Sequence, residues 1–197
     1  SEIAVPDPAS TDVHQSLNNA LQKRPEIQAA EKHVEAKQNQ IGIYRSEILP
    51  KVRAEAGYGW LDEEFFPKDE DWYVGISLDI PLLDGGTRRH RIAKSKVEVS
   101  REQAQLDQLK LSVQQEVWSA YSRWIEAHQS LETSRVRQRQ AEESLRLTKA
   151  RYEEGAGTIN DLLDAELSLD QADTGLNTAR YRLYLARVAF LLAAGEL

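Results

Sequence analysis

Apolar and polar positions follow two different periods along this chain. From Pro25 onward, Ile27, Ala30, Val34, Ile41, Tyr44 and Ile48 recur at spacings that fit steps of three and four, with Lys37 at the one seam position that is not apolar. That period predicts a helix beginning at Pro25, whose missing N–H would have no partner in a first turn anyway, and stopping at Pro50. A shorter helix is expected before it, from about Thr11 to Lys23, preceded by an extended arm over residues 1 to 10, where two prolines interrupt any period. After Pro50 the period becomes two. Val52, Ala54, Ala56, Tyr58 and Trp60 alternate with Arg53, Glu55, Gly57 and Gly59, and beyond the acidic stretch LDEEFFPKDED, Trp72, Val74, Ile76, Leu78 and Ile80 alternate with Tyr73, Gly75, Ser77 and Asp79. Two strands over 52–60 and 72–80 form one hairpin.

Helical spacing returns near Thr87 and continues without proline or glycine to about Glu154. Such a helix rises roughly 100 Å at 1.5 Å per residue, more than a compact domain holds. Inside it Leu106, Leu109, Val113, Val117, Ala120, Trp124, Ala127 and Leu131 step by three and four, close to the heptad mean. After two glycines, Leu162, Ala165, Leu169, Ala172, Leu176, Ala179, Leu183, Ala186, Phe190 and Ala193 do the same. Alternating large residues with alanine suits helices that approach closely. The expected fold is therefore mostly α, with long antiparallel coiled-coil helices that fold back at residues 155–158, and one β-hairpin.

Composition agrees with thin helical seams: the chain of 197 residues has 3 Phe, no Met and no Cys, with 41% hydrophobic and 29% charged residues. A net charge of −7 disfavours nucleic acid as a partner, because phosphate binding needs a basic face. Without cysteine there are no disulfides, no thiol catalysis and no Cys zinc sites. The longest apolar run, VAFLLAA, is far shorter than the roughly 20 residues of a membrane-spanning helix. The chain lacks an initiating methionine and a signal peptide, so it reads as processed or partial. His14, His33, His90 and His128 have no zinc-ligand spacing, and Gly155-x-Gly157 lacks the strand and lysine of a phosphate loop. No cofactor, metal or nucleophile–base set is expected, and hence no enzyme.

The hairpin admits two readings. It can be an ordinary amphipathic pair packed on a helix, or a pair of barrel strands, since nine tilted residues are about enough to cross an outer membrane. In the second reading Val52, Ala54, Ala56, Tyr58, Trp60, Trp72, Val74, Ile76, Leu78 and Ile80 face lipid, with the aromatics at one interface. Arg53, Glu55, Ser77 and Asp79 then face a wet lumen. A lone hairpin is marginal in water, and a closed barrel removes its open edges.

The stretch PLLDGGTRRHRIAKS, residues 81 to 95, resembles the TolC-like outer-membrane efflux family, in which the second barrel strand passes to a long helix through a proline, an apolar pair and a double glycine. Here these are Pro81, Leu82, Leu83, Gly85 and Gly86. ALQKRPEIQAAE at 20 to 31, ILP at 48 to 50 and RYEEGAGTINDLLDAELSL at 151 to 169 match as well. The resemblance divides the chain into an arm over 1–10, helices over 11–50, a barrel hairpin over 51–81, and a long helical hairpin of a periplasmic tunnel over 82–197 with its tip at 155–158. It implies a trimer of two-repeat chains whose strands close one oligomeric transmembrane barrel, as a passive exit duct of a tripartite efflux or type I secretion system. The partners implied are copies of the chain, a periplasmic adaptor, an inner-membrane pump and outer-membrane lipid, so the protein would lie in the outer membrane and periplasm. This chain looks like one repeat, closer to the second. It is either the C-terminal half of a longer protein or a one-repeat form needing six copies.

At the tip, the resemblance implies that Tyr152, Asp161 and Asp164 form the gate and pore constriction, and that Gly155, Ala156 and Gly157 contact the adaptor. Gly157 stands where the best-known member carries an arginine that ties the gate shut, a charged lock this chain lacks. Each tip residue also has a local explanation. Thr158 and Asp161 are spaced as a capping box, either aspartate suits a helix N-terminus, and the glycines suit a turn. Arg88, Arg89, His90 and Arg91 open the long helix, either as a solvated cluster or against anionic headgroups. The alternative to a channel is a soluble coiled-coil scaffold with the hairpin as a cap.

Overall fold

A computed structural model describes Pro8, residues 11–60 and residues 70–196, without the side chains of Trp60, Glu70 and Asp71. Most of the expected arm, the acidic stretch over 61–69 and the side chain of Trp60 therefore lie outside the described residues. The described chain runs α1 (Val13–Lys23), α2 (Pro25–Ser46), β1 (Lys51–Trp60), β2 (Glu70–Asp79), α3 (Thr87–Glu153) and α4 (Ile159–Ala193). It divides into two compact units, one of Ser1–Gln28 with Asp107–Leu197 and the other of Ala29–Leu106.

In the first unit α1 starts at Asp12, whose carboxylate accepts from the N–H groups of His14 and Gln15 at 2.9 and 3.3 Å. The expected seams of α3 and α4 are the core: Val113, Val117, Ala120, Trp124 and Leu131 are buried on one, and Ala165, Ala172, Leu176, Ala179, Leu183 and Phe190 on the other. Trp124 stacks on Phe190 with ring centroids 5.2 Å apart. The two residues lie at similar distances in sequence from the turn, as an antiparallel pair requires. Burying an aromatic pair of this size contributes several kcal/mol, of order 3–5 for either ring removed. Around it Tyr121 meets Phe190 at 5.7 Å, and His14 meets Trp118 edge-on at 5.7 Å. Arg24 ties α1 to α3 through Glu116 at 2.7 Å, and Asn19 reaches Glu196 beyond α4 at 3.3 Å.

In the second unit Val34 and Ser95 are buried on α2 and α3. Lys37, the charged member of the α2 seam, lies 3.6 Å from Glu98. A partly exposed pair of this kind contributes under about 1 kcal/mol, so its role is to make a polar seam position tolerable. The helix ends at Ser46, four residues short of Pro50. Leu49 precedes proline and is thereby pushed out of helical geometry, and the chain unwinds through tight turns in which Ile48 and Leu49 N–H donate to the carbonyls of Arg45 and Ser46 at 3.2 and 3.1 Å. Ile48 is left half exposed instead of continuing the seam.

β1 and β2 pair antiparallel in a two-stranded sheet. The register sets apolar against apolar, Val52 opposite Leu78, Ala54 opposite Ile76, Ala56 opposite Val74 and Tyr58 opposite Trp72. On the other face Arg53 stands opposite Ser77 and Glu55 opposite Gly75. β2 begins two residues before Trp72, so that Trp60 pairs with Glu70, and it ends at Asp79, leaving Ile80 just past the strand.

Candidate functional site

Two parts of the chain hold the candidate site residues, the apolar face of the hairpin and the turn between α3 and α4. Among the described residues of the hairpin no side chain is buried by the rest of the chain. Val74 is 73% exposed, Ile76 79% and Trp72 70%, and Val52, Tyr58, Leu78 and Ile80 are also exposed. Gly57 lets the Tyr73 ring lie across the polar face, where a Cβ would overlap it. The strands of ten residues each have the length of outer-membrane strands. Among the described residues no helix is long and apolar enough to cross a membrane.

The turn at residues 154–158 is built by two helix-end devices back to back. Gly155 has φ of 75°, a left-handed conformation that side chains disfavour, and its N–H donates to Tyr152 O at 3.0 Å while Ala156 N–H donates to Arg151 O at 2.8 Å. This crossed pair closes the last turn of α3. α4 then starts with a complete capping box: Asp161 N–H donates to Thr158 Oγ1 at 3.2 Å, and Thr158 N–H donates to Asp161 Oδ2 at 3.0 Å. Thr158 Oγ1 also donates to Asp161 Oδ2 at 2.7 Å. These bonds from the Thr158 hydroxyl and backbone hold the Asp161 carboxyl below its ordinary range, so it stays ionised.

Asp161 and Asp164 line one side of an open polar groove of about 420 Å³, together with Ala156, Gly157, Arg151 and Thr148. Tyr152 is partly exposed beside it, and a Cβ at Gly157 would come within 3.2 Å of the Tyr152 backbone nitrogen. The residues expected at a gate and at an adaptor contact are thus neighbours. Arg151, Thr148, Ser144 and Ser168 share the same groove and were not singled out by sequence. Their signal was the polar spacing 144, 148, 151 on α3 facing 161, 164 and 168 on α4.

The turn into α3 is similarly built. Gly86 and Arg88 N–H donate to the two oxygens of Asp84 at 3.0 and 3.1 Å, and these bonds, led by that from Arg88, lower the Asp84 carboxyl below its usual value. Gly85 and Gly86 both have positive φ, 63° and 80°, which explains the double glycine. Among the described residues no group of three His, Cys, Asp or Glu side chains could share a metal ion.

Residues 16–196 match the family described as outer membrane efflux protein. Protein CyaE of Bordetella pertussis is 33% identical over 195 residues, covering 94% of this chain and 40% of that protein. Outer membrane protein OprJ of Pseudomonas aeruginosa is 26% identical over 152 residues, covering 75% of this chain and 32% of OprJ. The chain thus spans well under half the length of these relatives. Among solved structures, the open state of the MtrE outer membrane channel of Neisseria gonorrhoeae superposes with a TM-score of 0.78 at 24% identity, over 93% of this chain and 41% of MtrE.

Proposed function

Because the chain belongs to the outer membrane efflux protein family, we propose that it forms one repeat of an outer-membrane channel-tunnel, a passive exit duct for efflux or secretion. The observation that carries this reading is the hairpin: its register gathers Val52, Tyr58, Trp72, Val74, Ile76 and Leu78 on one face, and all six are exposed. A two-stranded sheet with that face in water and both outer edges unpaired would aggregate. In lipid, beside other hairpins, the same face is satisfied and the edges close into a barrel. The soluble scaffold reading offers no cover for it.

The helical hairpin forms part of the periplasmic tunnel, and the groove at residues 151–164 is the seat for a periplasmic adaptor, with Gly155, Ala156 and Gly157 permitting close backbone approach. Asp161 and Asp164, repeated around a symmetry axis, form a carboxylate ring that favours cations. Asp161 does so while serving as a cap, and Tyr152 stands at the same level as part of the gate. Without an arginine at position 157, closure here does not rest on that charged lock. Transport energy comes from an inner-membrane pump.

The full-length protein purified in detergent should have the mass of a trimer, and it should conduct ions in planar bilayers. A monomer in detergent that never conducts would overturn the channel reading. Replacing Asp161 and Asp164 together by Asn should weaken block of that conductance by polyvalent cations, and unchanged block would place both outside the constriction.

A further inference from the structure

The segment joining β2 to α3 presents two leucines almost wholly to solvent, Leu82 at 85% and Leu83 at 98% exposure. Leu82 continues the even-numbered apolar series of Leu78 and Ile80, the face read above as lipid-facing. Their turn is firmly made, by the Asp84 bonds to Gly86 and Arg88 and by the two left-handed glycines, so the leucines are held outward by a defined structure.

Next to them α3 opens with Arg88, Arg89, His90 and Arg91, followed by Lys94. Arg88 lies 3.7 Å from Asp84, and Arg91 lies 3.3 Å from Glu47, which brings the end of α2 alongside. Glu47 and Asp84 are thereby matched by these arginines, while Asp79 stands opposite Lys51 in the sheet register. Arg45, Arg89 and Lys94 form no ion pair among the described residues, and the local excess is positive. Cations in the first turn of a helix oppose its dipole, a disadvantage that an anionic surface opposite them removes.

We propose that this turn is an interfacial anchor for anionic phospholipid in the periplasm-facing leaflet of the outer membrane. Leu82 and Leu83 enter the boundary between headgroups and acyl chains, and Arg45, Arg89 and Lys94 hold the lipid phosphates. The inference rests on the channel reading, because only a hairpin within the membrane brings its base to that interface. It adds a site that fixes the depth of the barrel and favours one class of lipid.

The test uses the full-length protein in nanodiscs of phosphatidylcholine, alone or mixed with phosphatidylglycerol, with bound lipid counted by native mass spectrometry and oligomer stability followed by heating. Phosphatidylglycerol should be retained in preference and should stabilise the oligomer at low salt, with the gain shrinking at high salt. The variant Arg89→Gln with Lys94→Gln should lose about fivefold in preference per charge removed, yet still assemble and conduct. Leu82→Ser with Leu83→Ser should lower retention of both lipids without dissociating the oligomer. Equal phosphatidylglycerol preference in the parent and in the charge variant would overturn the proposal. Dissociation of the leucine variant in either lipid would also overturn it, by making the leucines a contact between copies. A parent that conducts in no lipid would instead reject the channel reading itself.

Discussion

The β-hairpin and the α3–α4 hairpin are both antiparallel pairs with a clean apolar period, and they treat their apolar residues in opposite ways. Val113, Val117, Trp124, Leu176, Leu183 and Phe190 are buried within the chain, whereas Val52, Tyr58, Trp72, Val74, Ile76 and Leu78 stay exposed. The helices satisfy their backbones internally and need only each other to cover a thin seam. A two-stranded sheet leaves two edges open and one apolar face uncovered. The comparison teaches that a period reveals which face is apolar and leaves open what covers it. For the strands the described chain supplies no cover, and on the proposed channel reading lipid does.

The sharpest way to break that contrast is to charge the exposed face. Val74→Arg or Ile76→Arg should abolish assembly of the full-length protein in the outer membrane while leaving helical circular dichroism unchanged. An arginine facing mid-bilayer costs about 2–4 kcal/mol, and symmetry repeats the cost in every copy. Membrane yields equal to the parent's would show that the face meets water or protein. The complementary change, Trp124→Ala, removes a ring stacked on Phe190 and should lower the stability of the helical part by about 3–5 kcal/mol in urea titration. An unmoved midpoint would mean that the helices, like the strands, depend on other copies for their cover.

Much of this division is legible in the sequence because periods of two and of three-to-four are set by local geometry. The seams through Trp124 and Phe190 and the two strands follow directly, and Lys37 on the α2 seam is explained by Glu98. Other features escape because they depend on partners that periodicity does not encode. The end of α2 at Ser46 reflects the constraint of Pro50 on Leu49. Asp84 has the spacing of a cap to the helix at Thr87, but beside a double glycine that spacing does not by itself distinguish a cap from an ordinary turn residue. A second stripe on α4, Tyr181, Leu185, Val188 and Leu192, is exposed although it steps by four, three and four like the buried one. At the tip, proximity of Arg151 to Asp161 and Asp164 is a property of the pairing of α3 with α4 and of neither helix alone.

The turn between α3 and α4 sharpens the contrast further, since it shows which part of the helical hairpin is fixed by the chain itself. Gly155→Ala forces a side chain into a left-handed backbone at φ of 75°, at a cost of about 1–2 kcal/mol. The melting temperature should fall by a few degrees, while the equivalent change at Gly75, where a Cβ meets open space, should leave the helical part unaffected. Equal effects at the two positions would mean that the tip is held by assembly and not by its own hydrogen bonds.

The smallest effect concerns protonation of the cap. The Asp161 carboxyl lies below its ordinary value because it accepts from the Thr158 hydroxyl and N–H, and those bonds favour the charged form. A carboxylate depressed in the folded state stabilises it above the unfolded value of about 3.9, and the contribution disappears as pH falls through the lowered folded value. Asp161→Asn should therefore be less stable than the parent at neutral pH, and the gap should narrow once pH drops below about 4. Thr158→Ala removes the hydroxyl but keeps the backbone N–H that Asp161 also accepts from, so it should weaken the same pH dependence, with a loss of about 1 kcal/mol at the helix start. Thermal unfolding of the three proteins across that window checks both. A gap that widens on acidification would show that Asp161 is held by repulsion from neighbouring carboxylates, as in a ring around a pore, more strongly than by its cap.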